Sequence, residues 1–105
     1  KTYNAVLMDP PSYGRGPSGE TWKLEDSLCE LAALVAKVLD KPLFYLINSY
    51  TTGLQPTVIK NVLSLAMNGE RGKIEAYELT LPVTDESKGK IELPCGCSGL
   101  WKSAR

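Results

Sequence analysis

Histidine is missing from this sequence, and its 105 residues include only three cysteines. Without histidine, the chain by itself cannot build a Ser-His-Asp triad, a Cys-His pair or a zinc site with histidine ligands. The odd number of cysteines and the lack of a secretory signal favour reduced thiols, so we expect a cytoplasmic protein. Cys95 and Cys97 are spaced wrongly for a zinc knuckle, and we expect no metal.

The sequence also has no excess of either charge and no long apolar run. The charges of twelve basic and twelve acidic side chains cancel, so the chain has no net positive charge that would attract nucleic acid strongly. These residues are therefore not expected to be the main element that binds RNA or DNA, although they can still contact a base. No apolar run approaches the roughly 18–20 residues that span a bilayer, so we expect a soluble chain with no membrane contact.

The apolar pattern predicts six elements in the order strand, helix, strand, helix, strand, strand. Residues 12–19 are rich in glycine and are expected to form a loop, and the break at Lys41-Pro42 is expected to follow the end of the first helix. Pro56 stands where the first position of the second helix is predicted. The predicted strands cover residues 2–8, 43–48, 74–81 and 91–102, and the predicted helices cover residues 21–39 and 56–68.

This order of elements predicts an α/β fold. Two apolar strands, each followed by a helix, are typical of parallel neighbours with right-handed crossovers. The last two strands are joined by a short polar turn and are expected to form an antiparallel hairpin. Ligands of such open sheets bind at the carboxyl ends of the strands. We therefore expect residues 9–11 and 48–50, which follow the two parallel strands, to face one crevice.

The segment after the first strand has the chemistry of a binding site. Pro10 and Pro11 steer the chain away from the sheet and push the residues before them into extended geometry, so backbone carbonyl groups project into the crevice. Asp9 is a hydrogen-bond acceptor that suits an amino group, either of a base or of a cofactor. Tyr13 can stack on a planar substrate. The alternative is a plain turn in which Asp9 caps the loop and Tyr13 covers the sheet edge.

The run from Asp9 to Leu24 carries a family resemblance. Its Asp-Pro-Pro element resembles motif IV of class I S-adenosylmethionine-dependent methyltransferases, and the longer run DPPSYGRGP, followed by GETWKL, is similar to the large-subunit ribosomal RNA methyltransferase family. In that family, the fifth strand ends in an element like residues 48–53, and a hairpin like residues 73–81 with 91–101 closes the sheet. The resemblance spans most of the chain.

The resemblance implies that this is the C-terminal half of a Rossmann-like methyltransferase domain. The glycine-rich loop and the acidic residue that hold the cofactor in these enzymes have no counterpart, because Lys1 corresponds to about the start of their fourth strand. Both ends of the sequence resemble internal boundaries of a longer protein. The parent is expected to use S-adenosyl-L-methionine and to act on RNA, whereas residues 1–105 alone are not expected to bind the cofactor or to catalyse transfer.

The resemblance further implies roles for particular residues. Asp9, Pro10, Pro11 and Tyr13 are the expected catalytic residues, and Asp9 is also the expected cofactor contact. The expected substrate contacts are Arg15, Asn48, Ser49 and Tyr50. Arg15 would meet a phosphate or the substrate backbone, and the alternative for it is a solvated loop charge.

Two departures from the family pattern bear on the target atom. Enzymes that methylate carbon 5 of cytosine carry a cysteine after the fifth strand, whereas this chain has Asn48, Ser49 and Tyr50, so cytosine-C5 chemistry is not expected. Ser12 separates Pro11 from Tyr13, unlike the four-residue element of the amino-methylating enzymes. The sequence therefore leaves the target atom open.

A non-catalytic alternative follows from the same absence of a cofactor half. The strand at residues 2–8 would then have one unpaired edge, with free backbone N–H and C=O groups and apolar surface beside it. We expect such a half-domain either to pair with another copy of itself through this strand or to be unstable.

Overall fold

The chain folds into strands and helices in nearly the order that its apolar pattern predicts, with one additional hairpin. A computed structural model describes residues 1–11, 13–17, 19, 21–50, 54–82 and 92–104. Neither helix in this described part is long and apolar enough to cross a membrane. The elements are β1 (Tyr3–Met8), β2 (Tyr13–Arg15), β3 (Thr21–Lys23), α1 (Leu24–Ala36), β4 (Leu39–Ser49), α2 (Pro56–Ala66), β5 (Gly72–Pro82) and β6 (Glu92–Ser103).

Four of the strands form one mixed sheet in the order β1-β4-β6-β5. β1 and β4 run parallel, whereas β6 is antiparallel to both of its neighbours. The predicted α/β class, the parallel pair and the C-terminal antiparallel hairpin are thus confirmed. The insertion of β6 between β4 and β5 is a result of the tertiary structure, because the sequence pattern does not say which hairpin strand pairs with β4.

Both helices pack on one face of this sheet, where the core lies. Side chains alternate between the two faces of a strand, and the buried Tyr45 and Ile47 of β4 face the helices. Phe44, Leu46 and Asn48 therefore belong to the opposite face, which carries neither of the two helices of the described residues and is called the helix-free face below. The core consists of Leu24, Leu28, Ala32, Tyr45, Ile47, Ile59, Val62, Leu63, Met67, Cys97 and Trp101.

The region between β1 and α1 differs from its predicted form. Residues 12–19 were expected to be a loop and the helix to begin at residue 21, but β2 pairs antiparallel with β3, with Gly14 opposite Trp22. Between the two strands, the Gly19 N–H donates a hydrogen bond to the Gly16 carbonyl oxygen. Because Thr and Trp favour extended backbone, residues 21–23 join the hairpin and the helix begins at Leu24.

The boundary between α1 and β4 is also different. The helix ends at Ala36 rather than at residue 39, and β4 begins at Leu39 rather than at residue 43. Pro42 therefore lies inside a strand, and Lys41 before it has a φ of +50°. The parallel register changes there, because Tyr3 pairs with Leu39 while Ala5 pairs with Phe44. This irregularity lets β4 accommodate a residue that has no backbone N–H.

Candidate functional site

The site predicted from the sequence lies at the carboxyl ends of the parallel pair β1 and β4. In their register Met8 lies opposite Ile47, so Asp9 and Asn48 are the next residues of the two neighbouring strands. Asp9 is exposed and the following Pro10 is buried. A buried proline two residues after the end of β1 fixes where the chain turns, and the carboxylate before it remains exposed at this edge.

Asn48 is held from the other side by β6. The two strands are antiparallel, and Asn48 pairs with Ser98 on the helix-free face of the sheet. The Ser98 hydroxyl donates a hydrogen bond of 2.5 Å to Oδ1 of Asn48. Ser98 is only 2% exposed, while Asn48 is partly exposed. The amide of Asn48 is thus a polar group at the strand end whose oxygen already has a partner.

Ser49 and Tyr50 complete the end of β4, and they differ sharply in burial. Ser49 is 1% exposed and pairs with Cys97, so it belongs to the interior of the sheet. Tyr50 is 55% exposed, and its ring lies close to Gly96. A Cβ atom at Gly96 would lie 2.8 Å from Cδ1 of Tyr50 and 2.4 Å from the carbonyl oxygen of Ser49. Glycine is therefore required at this close approach between β6 and the end of β4.

The thiol of Cys97 connects β6 to the segment that follows β4. Its Sγ lies 2.9 Å from the carbonyl oxygen of Leu54 and donates a hydrogen bond to it. Burial raises the pKa of this thiol, and the nearby Glu78 carboxylate raises it further. A thiol that is buried and protonated is a poor nucleophile. Cys97 thus serves to hold the chain after β4 in place.

Not every predicted site residue is described to the same extent. Tyr13 and Arg15 lie in β2, which follows closely after Pro11, but the structure describes only their backbone. Ser12 and residues 51–53 lie outside the described residues. The stacking role of Tyr13 and the phosphate role of Arg15 accordingly stay predictions.

Sequence reasoning missed the contribution of β6 to this edge. Gly96 and Ser98 lie two residues apart on the strand, one beside Tyr50 and the other bonded to Asn48. The available signal was the run of small residues Cys95-Gly96-Cys97-Ser98-Gly99, since glycines inside a strand mark places where another part of the chain approaches closely. The sequence pattern predicts only a broken strand without a metal site for that run.

Taken together, this edge offers an exposed carboxylate, a carboxamide and an exposed aromatic ring. Such a set can bind a planar polar group by hydrogen bonds to its edge and by stacking on its face. Within the described residues there is no group of three or more His, Cys, Asp or Glu side chains that could hold a metal ion.

Comparison with solved structures places this fold among the methyltransferases. The chain superposes on a SAM-dependent methyltransferase from Agrobacterium tumefaciens with a TM-score of 0.82 and 26% identity, over 96% of this chain and 33% of that one. It also superposes on SMU.776, a proposed methyltransferase solved with SAH, with a TM-score of 0.63 and 15% identity, over 95% of this chain and 26% of that one.

The fold is therefore that of part of a Rossmann-like, SAM-dependent methyltransferase. The chain spans about a third of the length of the first of these structures and about a quarter of the second. No protein-family model matches the sequence, and no curated protein matches it either.

Proposed function

We propose that this chain is the substrate-side part of a SAM-dependent methyltransferase that acts on RNA, with ribosomal RNA as the substrate. One observation carries the proposal. Asp9 directly follows β1, and Asn48 is the next-to-last residue of the neighbouring parallel strand β4, in a sheet that superposes on a SAM-dependent methyltransferase with a TM-score of 0.82. Ligands of open α/β sheets bind at this edge, and an Asp-Pro-Pro element there suits an acceptor group that carries N–H.

In this proposal, the residues of the chain position the group that is methylated. Asp9 accepts a hydrogen bond from the acceptor group, and Pro10 and Pro11 keep the carboxylate at the strand end. Tyr50, with Tyr13 as a second candidate, stacks on the planar base, and Arg15 meets a phosphate. S-adenosylmethionine, when bound, supplies an electrophilic methyl group on a sulfonium. The task of these side chains is then mainly orientation of the acceptor.

The cofactor itself is proposed to bind mainly to residues upstream of this chain. Asp9 is exposed and is the one cofactor contact that we propose from the chain, as an acceptor for the α-amino group. The balance of twelve basic and twelve acidic residues supports the view that most of the affinity for RNA comes from other parts of the parent protein.

The proposal is tested by calorimetric titration of S-adenosylhomocysteine into two proteins. One is the 105-residue chain, and the other is the same chain extended at its N-terminus through the upstream coding region. We expect binding to the extended protein only. Binding to neither would refute the methyltransferase assignment, and equal binding to both would refute the proposed upstream location of the cofactor site.

A second candidate function is a non-catalytic half-domain that associates with itself. The observation that favours it is the outer edge of β1, which is the end strand of the sheet. Two large apolar side chains on this strand are exposed, Tyr3 to 50% and Leu7 to 72%. A strand edge with apolar side chains beside it is a ready site for pairing with another chain.

A further inference from the structure

The hydrogen bond between Ser98 and Asn48 decides which end of the Asn48 amide is available. An asparagine side chain has an accepting oxygen at one end and a donating NH2 group at the other. The Ser98 hydroxyl donates to Oδ1, so the oxygen faces β6. The NH2 group is consequently turned away from β6. On the far side of β4 lies β1, with Asp9 at its end.

Burial makes this arrangement persistent. Ser98 is 2% exposed and lies between Asn48 of β4 and Tyr77 of β5 on the helix-free face. A hydrogen bond that is shielded from water is not readily replaced by one to solvent. Asn48 at the same time remains partly exposed.

We propose that Ser98 is a positioning residue for this site: its hydroxyl holds the Asn48 amide so that the NH2 group donates a hydrogen bond to a ligand bound beside Asp9. The inference rests on the proposed function and deepens it, because it assigns a hydrogen-bond acceptor and a hydrogen-bond donor to two neighbouring groups. Asp9 only accepts, whereas Asn48 in this orientation donates. The pair complements a planar edge on which an N–H donor lies next to an oxygen or nitrogen acceptor, as on a nucleobase.

The alternative role for Ser98 is that of a small side chain that fills space between Asn48 and Tyr77. Three substitutions separate the two roles. Ser98→Ala keeps the volume nearly unchanged but removes the hydroxyl, and Ser98→Thr keeps a hydroxyl. Asn48→Asp keeps an acceptor for Ser98 but removes the NH2 donor, so it eliminates the ligand contact without removing the partner of Ser98.

The first measurement is NMR of the Asn48 side-chain NH2 group in the 105-residue chain, identified by its absence in Asn48→Asp. We expect the heteronuclear NOE of this group to be high in the wild type and in Ser98→Thr. In Ser98→Ala it is expected to fall while the backbone spectrum stays folded. A Ser98→Ala spectrum with the same NH2 shifts and the same order would overturn the positioning role.

The second measurement adds adenosine 5′-monophosphate and cytidine 5′-monophosphate, whose bases present an amino group next to a ring nitrogen. We expect either probe to shift the Asn48 NH2 resonances of the wild type. Ser98→Ala is expected to weaken this binding about fivefold, as for one lost hydrogen bond, and Ser98→Thr to restore it. Wild-type resonances that do not respond to either probe would overturn the ligand contact.

Failure of this inference and failure of the proposed function are distinguishable. If Ser98→Ala lowers the order of the Asn48 NH2 group and weakens mononucleotide binding, but the extended protein does not bind S-adenosylhomocysteine, the methyltransferase assignment is wrong and the role of Ser98 stands. If the extended protein binds S-adenosylhomocysteine and Ser98→Ala behaves like the wild type in both NMR measurements, the assignment stands and Ser98 is only a space-filling residue.

Discussion

The hydroxyl of Tyr45 donates a hydrogen bond of 3.1 Å to the carbonyl oxygen of Ala32, which links the centre of β4 to the middle of α1. Tyr45 is completely buried, and its hydroxyl also approaches the sulfur of Met8 at 4.0 Å. A buried hydroxyl without a partner is costly, so this bond fixes where the helix lies over the sheet. It thereby helps to hold the parallel strands whose ends carry Asp9 and Asn48.

Tyr45 gives a pH prediction with a definite sign. Burial raises its pKa from 10.0 to about 12. Below pH 10 the phenol is protonated in both the folded and unfolded states and contributes no pH dependence. Between pH 10 and 12 the unfolded state loses its proton first, so the free energy of unfolding falls as pH rises, by about 1.4 kcal/mol for each unit of pKa difference.

The matched variant is Tyr45→Phe, which removes the ionisation together with one hydrogen bond. At pH 8 we expect the wild type to be more stable by about 1 kcal/mol. The difference should shrink above pH 10 and reverse by about pH 12. Urea denaturation of both proteins from pH 8 to pH 12 measures it. A difference that stays constant over this range would contradict the buried, protonated phenol.

Gly96 gives a stability prediction. Its φ of +142° is unfavourable for any residue with a side chain, and a Cβ there would lie 2.4 Å from the carbonyl oxygen of Ser49. Gly96→Ala should therefore lower the free energy of unfolding by about 2–4 kcal/mol. The control is Gly69→Ala, where φ is +95° but no atom lies within 4 Å, and the expected cost is about 1–2 kcal/mol.

Thermal and urea unfolding of the two glycine variants check the comparison. Equal losses for Gly96→Ala and Gly69→Ala would mean that only the backbone conformation matters. In that case the close approach of β6 to Ser49 and Tyr50 would play no part in the stability of this edge.

A substitution of Asp9 is expected to lower activity without a comparable loss of stability. Because its side chain is exposed, Asp9→Asn should change the free energy of unfolding by less than about 0.5 kcal/mol. In the extended protein we expect methyl transfer to fall about 10- to 100-fold, since a hydrogen bond to a charged acceptor is lost. Transfer of radiolabelled methyl groups to ribosomal RNA measures this. Undiminished transfer by Asp9→Asn would show that the carboxylate has no part in the reaction.

The outer edge of β1 predicts self-association of the isolated chain. Leu7 is 72% exposed on this edge strand, and sedimentation velocity should show oligomers whose fraction grows with concentration. Leu7→Lys should weaken this association by placing a charge at the edge. The control is Leu65→Lys on α2, where the leucine is 73% exposed but lies away from the edge. A folded wild-type monomer at every concentration would disprove the interaction.

Much of the fold was predictable because apolar spacing reports burial. Pro56 begins α2, as the position of a proline at the first turn suggests. The β2–β3 hairpin was not predictable, since a segment with three glycines and three prolines within residues 10–19 is also typical of a loop. The start of β4 was predicted at residue 43 instead of Leu39 because a proline inside a strand is rare. Pro42 is accommodated there by the irregular register between β4 and β1.

The candidate site was also predictable from the sequence in part and dependent on the tertiary structure in part. The order of elements along the chain was enough to predict that Asp9 and Asn48 belong to the carboxyl ends of parallel strands, because the direction of a strand follows from its connections. The sequence by itself thus determined the α/β class, the strand that Asp9 follows and the chemistry of that residue. Local spacing and side-chain type are sufficient for those conclusions.

Only the tertiary structure decided that β6 lies beside β4 and thereby brings Ser98 to Asn48 and Gly96 to Tyr50. These contacts join residues about 50 positions apart. No local pattern specifies which strand of a hairpin turns inward, because both strands carry similar alternation. The choice depends on packing of the whole sheet against α2, where Gly99 leaves room for Ile59 and Leu63.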